Sequence, residues 1–170
     1  TGKTTALAGI LRLFDLLGRK TLLAAPTGRA AKRLSELTGC EAMTIHRLLE
    51  AQISPENGEM FFARDEDTPL KCDALIVDEM SMVDVLLFHS LLFALPEAAT
   101  LVLVGDPDQL PPVGAGNLFS DLSRSGQVPT VSLTEIFRQA QQSRIVTNAH
   151  AVNRGELPVL NATEGDFFFL

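Results

Sequence analysis

The sequence has no tryptophan and no tyrosine, and its only six-membered aromatic rings are ten phenylalanines among 170 residues. With 46% hydrophobic residues, the core must be built from Leu, Val, Ile and Ala. There are two cysteines, Cys40 and Cys72, far apart and without metal-ligand spacing, which excludes a disulfide scaffold and fits a reducing compartment. No apolar run approaches the roughly 18 residues needed to span a bilayer, no signal peptide is legible, and no fixed-period repeat is present. The expectation is a cytoplasmic protein with no membrane partner. An excess of positive charge is also missing. The formal net charge of −7 disfavours nucleic-acid binding held by electrostatics alone. That mean conceals an imbalance: residues 1–50 carry eight basic and four acidic residues, leaving +4 there and −11 over the rest.

Hydrophobic spacing organises what is present. Leu7, Ile10, Leu11, Phe14 and Leu17 recur at helical intervals and predict a helix over 3–17, ended by Gly18. The apolar runs 21–26, 74–77, 100–105 and 130–133 read as buried strands. Further helices are expected over 27–38 with Thr27 as cap, after Thr44, over 83–95, 117–124 and 139–153, and the tail "DFFFL" reads as the start of another strand. Residues 52–70 are polar and turn-rich around Asn57-Gly58, the pattern of a small inserted hairpin. Alternation of helices with continuous apolar strands predicts an α/β domain, a mostly parallel sheet covered on both faces. In such folds functional residues collect beyond the carboxyl ends of the strands.

The chemistry-bearing stretches fall there. Gly2-Lys3-Thr4 has the form that closes a phosphate-binding loop, with Lys3 reaching the phosphates and the Thr4 hydroxyl holding Mg²⁺. A glycine five residues before Gly2 and the strand that feeds such a loop are both missing from the chain. "ALIVDE" places Asp78 and Glu79 at a strand end, one suited to Mg²⁺ and the other to activating a water. In "VGDPDQLPPVGAG", the neutral amide of Gln109 can report a γ-phosphate, and Leu110, Pro111 and Pro112 stiffen the exit from the turn by restricting φ. Arg138 can fork onto a phosphate, or pair with Glu135 three residues earlier. A basic stretch opens a helix at Pro26, Thr27 and Gly28, with Arg29, Lys32 and Arg33 on one side; Thr44, His46 and Arg47 come next. These suit the phosphates of a nucleic-acid backbone, and His46 suits a partly buried packing role equally. No aromatic residues interleave the basic ones; Phe61 and Phe62 are the nearest stacking candidates.

The stretches "GKTT", "AAPTGRAAKRL", "TIHRLL", "LIVDEMSMVD", "VGDPDQLPPVGAGNLFSDL" and "LTEIFRQ" together resemble the first motor domain of superfamily 1 DNA helicases, in the RecD-like branch that includes the alpha subunit of exodeoxyribonuclease V. The resemblance continues through "SRIVTNAHAVNRG". It implies a three-layer RecA-like P-loop NTPase domain over 1–170, lacking the first, phosphate-loop strand and truncated at both ends. It further implies ATP and Mg²⁺ bound by Gly2, Lys3, Thr4 and Thr5; a metal held by Thr4 and Asp78; and Glu79, Gln109 and Arg138 acting on the γ-phosphate and water. Single-stranded DNA would lie on residues 26–33 and 44–47, with movement 5′ to 3′ and the inserted hairpin at the duplex junction. The partners implied are a second motor domain and, in some members, subunits of a nuclease complex. The isolated piece is expected to be inactive. Met80 stands where the family commonly has a small residue. Two other readings fit parts of the same pattern: a P-loop ATPase that remodels a protein partner, and a non-catalytic DNA-binding or assembly module.

Overall fold

Alternate residues of the strand 74–77 face opposite ways, and each face meets a different set of helices. Ala74 and Ile76 pack with Leu7, Phe14, Leu23 and Leu34, whereas Leu75 and Val77 pack with Ala24, Ile45, Leu48, Phe88 and Leu91. That two-sided burial is what a continuous apolar strand requires. It creates three layers in this computed structural model, which describes residues 2–133, 143–160 and 166–167.

Residues 3–130 form one compact unit. It contains α1 (Lys3–Leu16), β1 (Thr21–Ala25), α2 (Gly28–Thr38), β2 (Ala42–Thr44), α3 (Ile45–Leu48), β3 (Ala51–Ile53), β4 (Met60–Phe62), β5 (Ala74–Val77), α4 (Val85–Ala94), β6 (Thr100–Leu103) and α5 (Leu118–Arg124), with a 3₁₀ turn over Met80–Met82. Four strands form a wholly parallel sheet in the order β2-β1-β5-β6, with Leu22 opposite Leu75 and Leu75 opposite Leu101. The fold class is the α/β, parallel-sheet P-loop class expected from the sequence.

Local chemistry sets the boundaries. Gly18 takes φ +66°, and the amides of Gly18 and Arg19 close onto Asp15 and Phe14, ending α1. The chain then enters β1 at the amino edge of the sheet. There Lys20 and Asp73 exchange hydrogen bonds, and the Arg19 guanidinium donates to Thr100 at 2.7 Å. Thr27 caps α2 by accepting from the Ala30 amide, and Asp84 caps α4 by accepting from Leu87. Met80 is wholly buried, so the larger side chain is absorbed as core.

Two expectations about strands change. Residues 130–133 have no strand partner among the described residues, and Val131 and Leu133 are exposed, so this apolar run lacks the burial that makes such a run a strand. The fourth sheet position belongs to β2 instead. Three residues are too few for a readable alternation; β2 is held by backbone pairing to β1 and by the Ser35 hydroxyl, which accepts from the Ala42 amide at 2.8 Å. The helix expected from Val83 begins at Val85, because Asp84 caps it and the preceding residues wind as the 3₁₀ turn. β3 and β4 pair as an antiparallel hairpin whose turn contains Gly58 at φ +72°.

The segment from Val131 onward contributes to a second, smaller unit. Its described helix, α6 (Arg144–Asn153), falls within the span expected from the sequence. Asn148 is buried, donating to the Val159 carbonyl and accepting from its amide. Asp166 accepts from the Ser143 hydroxyl and the Arg144 amide at the start of α6, and these bonds hold its carboxyl below the usual carboxylate range. Asp166 and Phe167 are not in a strand, and the remainder of "DFFFL" lies outside the described residues.

Candidate active site

Because all four strands are parallel, their carboxyl ends share one edge, and every one runs into a stretch singled out by its chemistry. β1 runs into Pro26-Thr27-Gly28, β2 into α3, β5 into Asp78-Glu79, and β6 into Asp106 and Gln109. The ladder continues past β5: the Asp78 amide donates to Ala24, the Val104 amide to Val77, and the Met80 amide to Val104. Asp78 and Glu79 are thereby fixed between the ends of β1 and β6.

Glu79 carries two signs of local cost. Its backbone is left-handed, φ +55°, which is uncommon for a residue with a side chain. Its Oε2 is buried without a hydrogen-bond partner. A carboxylate oxygen withdrawn from water without a donor is unfavourable. A water or hydrated cation at this edge would supply the missing donor.

Gln109 sits in a tight turn in which its amide donates to the Asp106 carbonyl and the Asp108 amide to the Asp106 carboxylate. Its side-chain Oε1 accepts from the Ser81 hydroxyl at 3.1 Å. The segment after it is seated on the start of α4. Val85 donates to the Ala115 carbonyl, and Gly114 lies so close to Asp84 that an added Cβ would fall 2.7 Å from the Asp84 Cβ and collide with the carboxylate. The carboxylate cannot simply swing away, because it caps α4 through Leu87. Gly114→Ala is therefore expected to destabilise the domain by ~1–3 kcal/mol, the usual range for overpacking. A urea unfolding midpoint checks it; an unchanged midpoint would mean that the loop lifts off Asp84 without cost.

Lys3, Thr4 and Thr5 form the first turn of α1; because α1 packs on the sheet through Leu7 and Phe14 and its carboxyl end turns directly into the start of β1, its amino end falls toward the carboxyl ends of the strands. Its free amides and dipole favour anions there. Lys3 has no hydrogen-bond or ion-pair partner among the described residues. Gly2 has φ +80°. Arg138 lies outside the described residues. No group of three or more His, Cys, Asp or Glu able to cage a metal exists among the described residues. This donor set fits Mg²⁺ carried mainly by phosphate oxygens and water, with one hydroxyl and one carboxylate from the protein. The unpartnered Glu79 oxygen fits the same hydrated site.

The basic residues lie on the neighbouring strand ends. Arg29, Lys32 and Arg33 are exposed on α2, while Ala31 and Leu34 of that helix are buried. Lys32 approaches Glu36 at 4.0 Å, and Arg29, Arg33 and Arg47 have no acidic partner among the described residues. Thr44 caps α3 by accepting from the Arg47 amide. The His46 ring meets Phe62 of the hairpin at 5.8 Å between centroids, which leaves Phe62 partly covered, whereas Phe61 is exposed.

The structure thus joins Asp78, Glu79 and Gln109 through one turn. Three contributions escaped the sequence: the Ser81 bond to Gln109, the left-handed Glu79, and the seat of Gly114 on Asp84. Ser81 had one available signal, a hydroxyl set between two methionines within an otherwise apolar stretch.

A protein-family model described as an AAA domain matches residues 1–166. The ATP-dependent RecD2 DNA helicase of Deinococcus radiodurans is 43% identical over 169 residues, covering 96% of this chain and 22% of that protein. The RecBCD enzyme subunit RecD of Mycolicibacterium smegmatis is 40% identical over 145 residues, covering 72% of this chain and 26% of the subunit. Among solved structures, Bacteroides Pif1 bound to ssDNA aligns with a TM-score of 0.56 and 25% identity over 92% of this chain and 41% of that one. The chain spans about a quarter of the length of these curated relatives. No described helix is long and apolar enough to cross a membrane. The chain belongs to the AAA domain family and is a RecD-like superfamily 1 helicase motor domain.

Proposed function

We propose that this chain is the first motor domain of a longer ATP-driven DNA helicase, which moves 5′ to 3′ on single-stranded DNA and acts in the cytoplasm. The observation that carries the reading is the shared edge: the Asp78-Glu79 pair, with its unpartnered buried oxygen, lies beside the Ser81-bound Gln109 and next to the arginines of α2 and α3, which have no acidic partner among the described residues. In this reading Gly2, Lys3, Thr4 and Thr5 bind the ATP phosphates. Thr4 and Asp78 hold Mg²⁺, which neutralises phosphate charge. Glu79 accepts a proton from the attacking water, Gln109 senses the γ-phosphate, and Arg138 contacts it. A second motor domain completes the site and the DNA track, and subunits of a nuclease complex are further candidate partners. The helicase identity of the RecD2 relative and the bound strand of the Pif1 structure support this assignment.

Pro26, Thr27, Gly28, Arg29, Lys32 and Arg33, with Thr44, His46 and Arg47, form the DNA track by contacting backbone phosphates. Replacing Arg29, Lys32 and Arg33 together by alanine is expected to weaken single-strand binding and to reduce the salt slope of log affinity by about 2, at about 0.7 per lost phosphate contact. All three are exposed, so the fold is kept. An unchanged slope in a binding titration from low to high salt would remove α2 from the track.

The reading is tested with the full-length protein on duplexes bearing a single 5′ or 3′ tail. ATP-dependent unwinding from the 5′ tail is expected. Unwinding from the 3′ tail alone would overturn the direction, and none from either tail would overturn the helicase assignment.

A further inference from the structure

Resting on the motor reading above, we propose that Ser81 is the positioning residue for Gln109, tethering its side-chain amide to the turn that carries Glu79. Ser81 is only 4% exposed, in the 3₁₀ turn between Met80 and Val83, where a hydroxyl without a partner is unfavourable. Its partner is Gln109 Oε1, 28 residues away in sequence, and not a carbonyl of its own turn.

The direction of that bond has a chemical consequence. A glutamine amide offers an acceptor oxygen and a donor nitrogen, and a rotation about its last torsion exchanges them. Phosphate oxygens only accept, so a sensor glutamine is productive with its nitrogen toward the phosphate. In the structure the Ser81 hydroxyl donates to Oε1, which holds the side chain against the turn and leaves Nε2 for a phosphate oxygen. Gln109 is otherwise exposed, on the loop after Asp106, and without this bond its side chain would sample several rotamers. Ser81 also lies two residues beyond Glu79, in a turn pinned to Val104 through Met80. One short, buried segment therefore carries the water-activating carboxylate and fixes the sensor amide. Movement of Gln109 toward a phosphate is communicated to that segment, and through Asp84 to the start of α4.

The test is a double-mutant cycle in the full-length protein, reading ATP hydrolysis stimulated by single-stranded DNA. Ser81→Ala is expected to lower kcat about tenfold, the worth of one such hydrogen bond at its upper range, with KM for ATP little changed. In a Gln109→Ala background the same substitution is expected to have no further effect on kcat, because the two residues act as a unit. Gln109→Glu keeps an acceptor for Ser81 but no donor for phosphate, and is expected to be as impaired as Gln109→Ala. An equal loss of kcat from Ser81→Ala in both backgrounds, in an active and DNA-stimulated wild type, would overturn the Ser81 role while leaving the motor reading intact. An inactive wild type, itself unaffected by Lys3→Ala, would overturn both.

Discussion

Glu79→Gln is expected to lower ATP turnover by about 10²–10⁴-fold, the range for loss of a general base, while ATP still binds. The variant keeps the size of the side chain and replaces a carboxylate oxygen by an amide. Glu79 is held left-handed and has a buried oxygen with no partner, two features that are unfavourable in the folded protein. Such local cost is a property of sites whose geometry serves a reaction. Removing the charge should therefore leave the unfolding midpoint unchanged or raise it. Turnover assays and equilibrium nucleotide binding, run beside a urea melt, separate the two roles open to Glu79. A fallen midpoint with persistent turnover would make Glu79 a structural carboxylate, and the attacking water would need another base.

The second large effect is that of Lys3→Ala. Lys3 opens α1, and its charge has no partner among the described residues. Alanine is the better helix former, and the helix is expected to remain. Loss of a cationic clamp on developing phosphate charge is expected to reduce kcat/KM for ATP by about 10²–10³-fold, with weakened ATP binding. DNA binding without nucleotide should survive, because the basic faces of α2 and α3 are untouched. Retained hydrolysis would mean that the Gly2-Lys3-Thr4 triplet is incidental.

The ease of reading differed between elements for physical reasons. Residues 74–77 were legible because every residue is buried on one face or the other, which produces an unbroken apolar run. Thr27 and Gly18 were legible because their effects are local. β2 was not, since its pairing with β1 and its Ser35 contact come from tertiary structure and leave no mark on three residues. The run 130–133 misled for the converse reason: strand-like composition cannot substitute for a partner. The placement of Asp78, Glu79 and Gln109 beyond strand ends was legible because each follows an unbroken apolar run. The Ser81–Gln109 bond joins residues 28 apart, and only the fold brings them together.

The most direct measurement is ATP hydrolysis by the full-length protein with and without single-stranded DNA. Hydrolysis is expected to rise steeply with added strand and to be lost in Lys3→Ala. Hydrolysis indifferent to DNA would contradict the motor reading and favour remodelling of a protein partner; strand binding without hydrolysis would contradict it in favour of an assembly module.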